Sequence, residues 1–294
     1  MQYQQRQRST HLRAHVMLLA LLTSLAGCAH QIVDNLNADS MRFSSAGEEM
    51  NTDVASCRES LATSTRGNGP ALDPASISLL NWNIQKNRAK NWQDDYTPYV
   101  AETDLILIQE IALREDSATD LLQTRFMSFT PGYRRSGEVS GVMTLSSVQP
   151  LTQCSFINLE PLLKTPKTTN ITEFALDATD ETLVVVNLHA VNFSLGLGEF
   201  RKQFEQIGRA LREHTGPIIL SGDFNTWRKR RLEIVDELAD ALELTAVEFA
   251  DDLRKRAFGN ALDHIYIRGL SAQDSATRAV GTSDHNPMSV FLSL

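Results

Sequence analysis

Aspartate, asparagine, glutamate and histidine residues recur where short apolar runs of this sequence end. The clearest case is Ser221–Asn225, written SGDFN, which directly follows the apolar run Pro217–Leu220. Side chains two positions apart in an extended segment point to the same side, so Asp223 and Asn225 can contact one ligand. For this pair alone, the alternative is a turn that caps a following helix.

Other apolar runs end in, or are preceded by, polar residues of the same types. These residues are Asn83, Glu110, His189, Asp263, Asp284 and His285. Because so many strand ends carry such side chains, we expect them to converge on one polar cleft. Carboxylate and amide oxygens suit Mg²⁺, Mn²⁺ or Ca²⁺, and histidines add acid–base or phosphate-binding capacity near neutral pH. This combination predicts hydrolysis of a phosphate ester at a hard metal ion.

The elements that must position these residues are predicted to be mostly strands. The apolar runs that indicate strands are Ile77–Trp82, Leu105–Ile108, Val139–Leu145, Leu183–Leu188, Ile218–Leu220, Ile265–Ile267 and Val290–Leu292. The alternation in Ile171–Asp177 predicts a further, half-buried strand. Helical spacing of apolar residues occurs in Glu199–His214 and Thr226–Leu242. Many strands with few long helices favour a sandwich of mixed sheets over a simple parallel α/β fold.

Six blocks of the sequence together resemble the endonuclease/exonuclease/phosphatase (DNase I-like) superfamily. That superfamily includes nucleases, abasic-site endonucleases, sphingomyelinases and inositol-polyphosphate phosphatases. The blocks occur in the family's order and are NWNIQK at 81–86, LILIQE at 105–110, NLHAVN at 187–192, SGDFN at 221–225, LDHIYI at 262–267 and TSDHNP at 282–287. The resemblance covers residues 76–294. It implies an α/β fold, a four-layer α/β/β/α sandwich, with the active site at one edge of the paired sheets.

The resemblance also implies which residues hold the metal ion and the nucleophile. Glu110 would be the main ligand of Mg²⁺ or Mn²⁺, with Asn83 close by and Asp284 in or beside the metal shell. Asp223 would orient and deprotonate the attacking water, or bind a second metal. Asn225 would hold a phosphate oxygen or the nucleophile.

For the histidines, the resemblance implies contacts with the phosphate. His285 would act on the phosphate or on a proton, and Asp263 would orient it through the other ring nitrogen. His189 would donate to a non-bridging phosphate oxygen. His264, which lies beside Asp263, competes with it for a role in the site.

The substrate is not determined by these residues, because they are common to the superfamily. Basic residues occur at Arg134–Arg135, Lys164–Lys167 and Arg228–Arg231. The last group places four cations in the first turn of a predicted helix, against the helix dipole. Arg228, Arg230 and Arg231 are therefore candidates for binding an anionic ligand or lipid headgroups, and a solvated surface run is the alternative.

Nucleic acid is left open as a substrate but is not indicated. The net charge is −8, which disfavours non-specific binding to nucleic acid through overall charge. The sequence also carries no long basic stripe with interleaved aromatic residues. We expect a monomer that hydrolyses a phosphodiester or phosphomonoester. A catalytically silent ligand-binding module of the same fold is the alternative.

The N-terminus has the pattern of an export signal. Three arginines, Arg6, Arg8 and Arg13, precede an apolar stretch from Val16 to about Ala26, which is short for a membrane span. The tetrad LAGC at 25–28 resembles a bacterial lipobox. It predicts a signal peptide over 1–27 and lipidation of Cys28, with an ordinary secretory signal or an inner-membrane anchor as alternatives.

This pattern predicts a protein that is lipid-anchored in the bacterial envelope. The residue after Cys28 is Ala29 rather than aspartate, which favours the periplasmic side of the outer membrane. Residues 28–75 are predicted to form a tether before the domain at 76–294.

Two further cysteines, Cys57 and Cys154, are predicted to form a disulfide in this oxidising compartment. The disulfide would close a loop of about 100 residues, which in the chain-entropy model stabilises the fold by roughly 4–5 kcal/mol. Two separate thiols are the alternative.

Overall fold

The computed structural model describes residues 43–44, 50–65, 69–113, 125–135, 137–161, 163–194 and 196–294. The predicted signal peptide (1–27) and the predicted lipidation site Cys28 lie outside these residues, as does much of the predicted tether. No helix in the described part of the chain is long and apolar enough to cross a membrane.

Two mixed β-sheets make up most of the described chain. The strands, in chain order, are β1 (Phe43–Ser44), β2 (Ile77–Asn83), β3 (Leu105–Leu113), β4 (Phe126–Arg135), β5 (Glu138–Ser146), β6 (Thr152–Leu159), β7 (Pro166–Ala175), β8 (Thr182–His189), β9 (Ile218–Asp223), β10 (Thr245–Ala246), β11 (Arg256–Ala257), β12 (Asn260–Ala261), β13 (Asp263–Arg268), β14 (Ser271–Thr277) and β15 (Met288–Ser293). The first sheet has the order β1-β4-β5-β3-β2-β15-β14 and the second the order β10-β13-β9-β8-β7-β6, while β11 and β12 form a separate ribbon. The pairs β2–β3 and β8–β9 are parallel.

Helices cover the outer face of each sheet. They are α1 (Val54–Thr63), α2 (Trp92–Val100), α3 (Gly198–Leu211) and α4 (Lys229–Ala241). One apolar cluster joins α2 to the first sheet, a second lies between the sheets, and a third joins the second sheet to α1, α3 and α4. The apolar clusters therefore separate four layers, and the α/β/β/α sandwich implied by the resemblance is confirmed.

The central strands are buried on both faces, and β8 shows why they read as continuous apolar runs. Val184 and Val186 pack toward the helices, whereas Leu183 and Val185 pack toward the opposite sheet. A strand covered on both sides loses the polar positions that would face solvent.

Strand β7 differs from the half-buried strand that its alternation predicts, because all of Pro166–Ala175 is buried. Its polar residues contact buried neighbours on both faces of the sheet rather than water. Toward the other sheet, Asn170 Nδ2 donates to Ser128 Oγ at 2.9 Å, and Thr144 Oγ1 donates to Asn170 Oδ1 at 2.7 Å. Toward the helices, Thr169 Oγ1 accepts from Gln203 Nε2 of α3 at 3.3 Å.

Besides the two-residue strands β1, β10, β11 and β12, the sequence patterns did not predict β4, β6, β14, α1 and α2. Pro131 and Gly132 within β4 read as turn residues in a sequence, and Pro98 lies inside α2. Helix α1 has almost no amphipathic pattern, since Cys57 and Leu61 are its buried residues. These elements depend on tertiary contacts that no local pattern records.

Part of the predicted tether is folded onto the domain. Asp53 caps α1 by accepting from the backbone N–H groups of Ala55 and Ser56, and the structure joins Cys57 to Cys154 in a disulfide. Asn51 also forms a bridge beside β6. The folded unit therefore extends upstream of residue 76 and includes residues 50–65.

A buried amide network joins the sheets directly behind the cleft. Gln109 Nε2 donates to Asn81 Oδ1 at 2.9 Å and to Asn187 Oδ1 at 2.8 Å, and Asn187 Nδ2 donates to the Met143 carbonyl at 2.8 Å. Because Asn81, Gln109 and Asn187 stand one or two positions before Asn83, Glu110 and His189, this network fixes the ends of three strands that carry site residues.

Candidate active site

Strand register brings the predicted site residues to one edge of the sandwich. In the second sheet, His189 of β8 lies opposite Asp223 of β9, and Asp223 lies opposite Asp263 of β13. In the first sheet, Asn83 of β2 is paired with Gln109, so that Glu110 lies one step further along β3. The two sheets face each other at this edge, where Asn83 Nδ2 donates to Asp223 Oδ2 at 3.0 Å.

Glu110 reaches the cleft through an irregularity in β3. The register against β5 shifts between Ile108 and Ile111, and Glu110 has a φ of 54°. This left-handed conformation is uncommon for a residue with a side chain, and such irregularities re-aim side chains next to active sites. Here the isoleucines on both sides remain buried while the Glu110 carboxylate enters the cavity.

Asp223 and Asn225 converge on the cleft by a turn rather than by a continued extended strand. Asn225 has a φ of 52°, and its backbone N–H donates to Asp223 Oδ1 at 3.0 Å. Asn225 Nδ2 donates to the Ala190 carbonyl at 3.1 Å. The sequence argument placed both residues on the correct side but with the wrong backbone geometry, since strand β9 ends at Asp223.

His285 forms a buried ion pair with Asp263. Its Nδ1 lies 2.7 Å from Asp263 Oδ2, and its carbonyl accepts from Trp82 Nε1 at 2.9 Å. Burial alone lowers the pKa of His285, but the charge and the hydrogen bond of Asp263, together with Asp223, raise it to about 10. His285 is therefore protonated at neutral pH. This is the orientation by Asp263 that the resemblance implies.

His189 lies in the opposite environment. Burial and the adjacent Lys167 lower the pKa of His189 to about 4, although Asp223 and Glu110 oppose this. Lys167 Nζ lies 2.6 Å from His189 Nε2, and an ammonium can only donate, so this nitrogen accepts. With Nε2 accepting from Lys167, Nδ1 is the ring nitrogen that carries the N–H, and the donation from His189 to phosphate that the resemblance implies stays a prediction.

Glu110 is ionised and surrounded by cations. Burial opposes its ionisation, but His189 when protonated, and then Lys86 and Lys167, lower its pKa to about 2. Lys86 Nζ forms an ion pair with Glu110 Oε2, and His189 Nε2 lies 3.7 Å from Glu110 Oε1. A carboxylate held in this state attracts a cation strongly.

These side chains surround a cavity of about 390 Å³. Of the catalytic and metal residues predicted from the sequence, those in its wall are Asn83, Glu110, His189, Asp223, Asn225, Asp284 and His285. Asp263 stands behind His285. Asp284 is at the mouth, where its side chain is 45% exposed and lies 4.0 Å from Lys255 Nζ.

The predicted substrate-binding arginines do not line this cavity. Arg228 stacks on the Trp227 ring at 4.0 Å, and Arg230 is exposed. Arg231 is 1% exposed and donates to the carbonyls of Val191, Asn225 and Asn192. Arg231 is thus a structural residue: helix α4 turns it inward to hold the loops that carry Asn225 and Asn192. The sequence could not distinguish it from its exposed neighbours.

His264 does not compete with Asp263 for a place in the site. Successive residues of a strand point to opposite faces, and His264 packs against the rings of Phe224 and Tyr266. Its Nε2 lies 2.7 Å from Thr226 Oγ1. Burial, with a smaller contribution from Arg254, lowers its pKa to about 3, so His264 is a neutral core residue.

The donor set fits a hard divalent cation. Glu110 is an ionised carboxylate in the cavity, and the Lys86 ammonium on its Oε2 shows that this oxygen takes a positive partner. Asp223, Asp263 and His285 also offer ligand atoms within 4.8 Å of one another, but there the Nδ1 of His285 is committed to Asp263. Oxygen ligands such as these suit Mg²⁺ or Mn²⁺.

Five charged residues of the cavity were not among the predicted site residues. They are Lys86, Arg88, Glu160, Lys167 and Lys255. Glu160 is 1% exposed and accepts from the backbone N–H groups of Asn192 and Phe193. Lys86 lies in the block NWNIQK, and Lys167 ends the basic stretch at 164–167. The sequence therefore marked both stretches but did not show where either side chain points.

Comparisons with known proteins identify the family and agree with the fold. The chain matches the model of the Endonuclease/Exonuclease/phosphatase family over residues 80–285. Among solved structures, it is similar to the human Nocturnin catalytic domain with bound sulfate anion, with a TM-score of 0.59 and 16% identity over 77% of this chain and 97% of that chain.

Two bacterial structures show the same fold. A family protein of Bacteroides vulgatus matches with a TM-score of 0.54 and 17% identity over 75% of this chain and 99% of that chain. A mannosyl-6-phosphatase of Bacteroides thetaiotaomicron matches with a TM-score of 0.50 and 15% identity over 74% of this chain and 100% of that chain. Because the family match spans more than half of the sequence and extends from just before Asn83 to His285, this chain belongs to the endonuclease/exonuclease/phosphatase family.

Proposed function

We propose that this protein is a metal-dependent phosphoesterase of the bacterial envelope. The observation that carries the proposal is one cavity that combines three groups: the ionised Glu110, the buried Asp223, and the protonated His285 paired with Asp263. This set provides an attachment point for a metal ion, a proton acceptor and a fixed positive charge, which are what water attack on phosphorus requires.

Asp223 is the proton acceptor in this proposal. Burial raises the pKa of its carboxyl group, although the charge of His285 opposes the shift, and a raised pKa makes a carboxylate a better base. Asn225 stands beside it. Its Nδ2 is held by Ala190, and its Oδ1 has no hydrogen-bond donor among the described residues, so this oxygen can orient the attacking water.

His285 supplies positive charge to the phosphate. Asp263 holds Nδ1, which leaves Nε2 to donate to a phosphate oxygen as negative charge develops in the transition state. A bound Mg²⁺ or Mn²⁺ would supply Lewis-acid stabilisation of the same charge, with Glu110 as the residue that holds it.

The relatives support phosphate chemistry in general. The family includes phosphoesterases and nucleases that commonly use divalent metals. Two of the three similar structures above are a protein solved with bound sulfate and a sugar-phosphate phosphatase. At 15–17% identity, these likenesses support the fold of this chain and leave its substrate to experiment.

The test is a rate measurement with Mg²⁺ or Mn²⁺ on p-nitrophenyl phosphate, bis(p-nitrophenyl) phosphate, plasmid DNA, RNA and phospholipid. We expect turnover of at least one ester, loss of turnover in EDTA, and recovery when metal is added back. If no ester is hydrolysed above the buffer rate with either metal, the proposal fails and the silent binding module becomes the better reading.

We also propose that a lipid on Cys28 anchors the protein in the envelope, on the strength of the LAGC tetrad at 25–28. More than one acyl chain on a residue gives stable membrane attachment. Membrane fractionation of the wild type and Cys28→Ser tests this. The variant should appear in the soluble fraction, and an unchanged membrane fraction would refute the anchor.

A further inference from the structure

Lys167 is a buried cation whose donors are mostly unused. Lys167 is the second residue of β7. The residue is 8% exposed, and its side chain lines the cavity. Its hydrogen bond within the described chain goes to His189 Nε2, at 2.6 Å, and no described carboxylate lies within ion-pair distance. Burial lowers the pKa of Lys167, and the charges of Glu160, Glu110 and Asp223 oppose this from beyond ion-pair distance. An ammonium has three N–H donors, and a buried charge without an anion in hydrogen-bond contact is unfavourable. This arrangement indicates that an anion belongs beside Lys167.

Lys86 approaches the same space from the other sheet. Its backbone is part of a turn in which Gln85, Lys86 and Asn87 all have left-handed φ values, of 48°, 61° and 48°. Such conformations persist where the surroundings hold them, and they concentrate at functional sites. The Asn87 side chain holds this turn through Ala112, donating to its carbonyl at 2.7 Å and accepting from its N–H at 3.1 Å.

The strained turn directs Lys86 at the site rather than at solvent. Its ammonium pairs with Glu110 and lies 5.9 Å from the centre of the Tyr133 ring. The two lysines therefore come from opposite sheets and meet around one carboxylate and one neutral histidine. Two ammonium groups in one cavity attract an anion of more than one charge.

We propose that Lys86 and Lys167 bind the non-bridging oxygens of a terminal phosphate, and that the substrate is a phosphate monoester; this rests on the proposed phosphoesterase function. A monoester near neutral pH carries almost two negative charges and three terminal oxygens, because its second pKa is about 6. A diester carries one charge and two such oxygens. The second charge of the monoester would give Lys167 an anion within hydrogen-bond distance, which no described carboxylate provides.

Binding of inorganic phosphate tests the anion site without relying on turnover. We would titrate wild type, Lys167→Met and Lys86→Met by calorimetry, in Mg²⁺ and again in EDTA. The matched control is Lys202→Met, since Lys202 lies on α3 away from the cavity and its side chain is 58% exposed. Loss of a charged hydrogen bond should weaken phosphate binding about 10-fold to 100-fold in the cavity variants, with little change in the control.

Kinetics on matched esters test the substrate class. For p-nitrophenyl phosphate, kcat/KM in Lys167→Met should fall about 10-fold to 100-fold, and the fall for bis(p-nitrophenyl) phosphate should be clearly smaller. Lys167→Arg keeps the charge and should recover part of the monoester activity. Lys86 is partly exposed, so Lys86→Met gives a second reading if Lys167→Met does not fold.

The outcomes separate the two proposals. Phosphate binding that depends on Lys167, without hydrolysis of any ester, would support the anion site and refute the enzyme. Hydrolysis of the diester in preference to the monoester, or wild-type phosphate binding in both lysine variants, would overturn the monoester inference and leave the phosphoesterase standing.

Discussion

Two histidines that line the same cavity are held in opposite protonation states. His285 pairs with Asp263, and its pKa rises to about 10, whereas His189 contacts Lys167, and its pKa falls to about 4. Both are buried to a similar extent, at 7% and 8% exposure. Burial alone would lower both pKa values. The difference therefore comes from the sign of the neighbouring charge.

This contrast gives the two histidines different surroundings. His285 is a fixed positive charge that is neutralised by carboxylates. His189 lies beside lysines that surround the Glu110 carboxylate. The first is suited to proton and charge work during the reaction, and the second to holding anions and a metal ion.

The largest expected effect is on turnover when His285 is removed. His285→Ala should lower kcat by roughly 100-fold or more at saturating metal, because groups that transfer protons or charge contribute on that scale. The measurement is the rate on the ester found in the screen, with thermal melting as the control for folding. A His285→Ala enzyme as fast as the wild type would remove His285 from the mechanism.

A smaller effect is expected on metal dependence when Glu110 loses its charge. Glu110→Gln keeps the shape but should raise the metal concentration for half-maximal rate by about 10-fold or more, because changes at metal sites commonly cost this much in affinity. Asp284→Asn is the comparison at the exposed mouth and should change this concentration less. An unchanged Mg²⁺ dependence in Glu110→Gln would place the metal elsewhere.

The opposite pKa shifts of His285 and His189 can be tested separately, by replacing the charged partner of one histidine at a time. Asp263→Asn should lower the pKa of His285, because it removes the charge that raises this pKa most. Lys167→Met should raise the pKa of His189, because it removes the charge that adds to burial in lowering this pKa. NMR titration of the histidine ring resonances measures both. If the His189 pKa does not move in Lys167→Met, its low value is due to burial alone.

The smallest expected effect is on the pH dependence of the unfolding free energy, and it comes from His264. The folded-state pKa of His264 is about 3, below the ordinary value of 6.5, so the unfolded chain binds a proton more readily. Its contribution to stability is present above about pH 6.5 and is lost as the pH falls toward 3. His264→Gln should flatten this part of the curve of unfolding free energy against pH, measured by denaturant titration. An unaltered slope would mean that other groups dominate.

Some features followed from sequence alone, because they depend on contacts close together in the chain. Continuous apolar runs located β2, β3, β8 and β9, since strands covered on both faces need no polar positions. The same runs ended at Asn83, Glu110, His189 and Asp223, and the cleft was predicted from these ends. Helix α3 followed from the helical spacing of the apolar residues in Glu199–His214, although this prediction placed its end three residues beyond Leu211.

Other features depended on which segments the fold brings together. Lys167 and Arg231 both stand in basic stretches, yet one enters the cavity and the other holds backbone carbonyls in the interior. Helix α1 looked like a linker because its burial comes from a disulfide and a few contacts rather than from an amphipathic face.

The protonation states of His189 and His285 were decided by neighbours on other strands. Lys167 is 22 residues from His189 in the chain, as Asp263 is from His285. A sequence shows which residues can carry charge and which strands end in them. The energy of a charge depends on the distance to other charges and on burial, and both are set only when the sheets have packed.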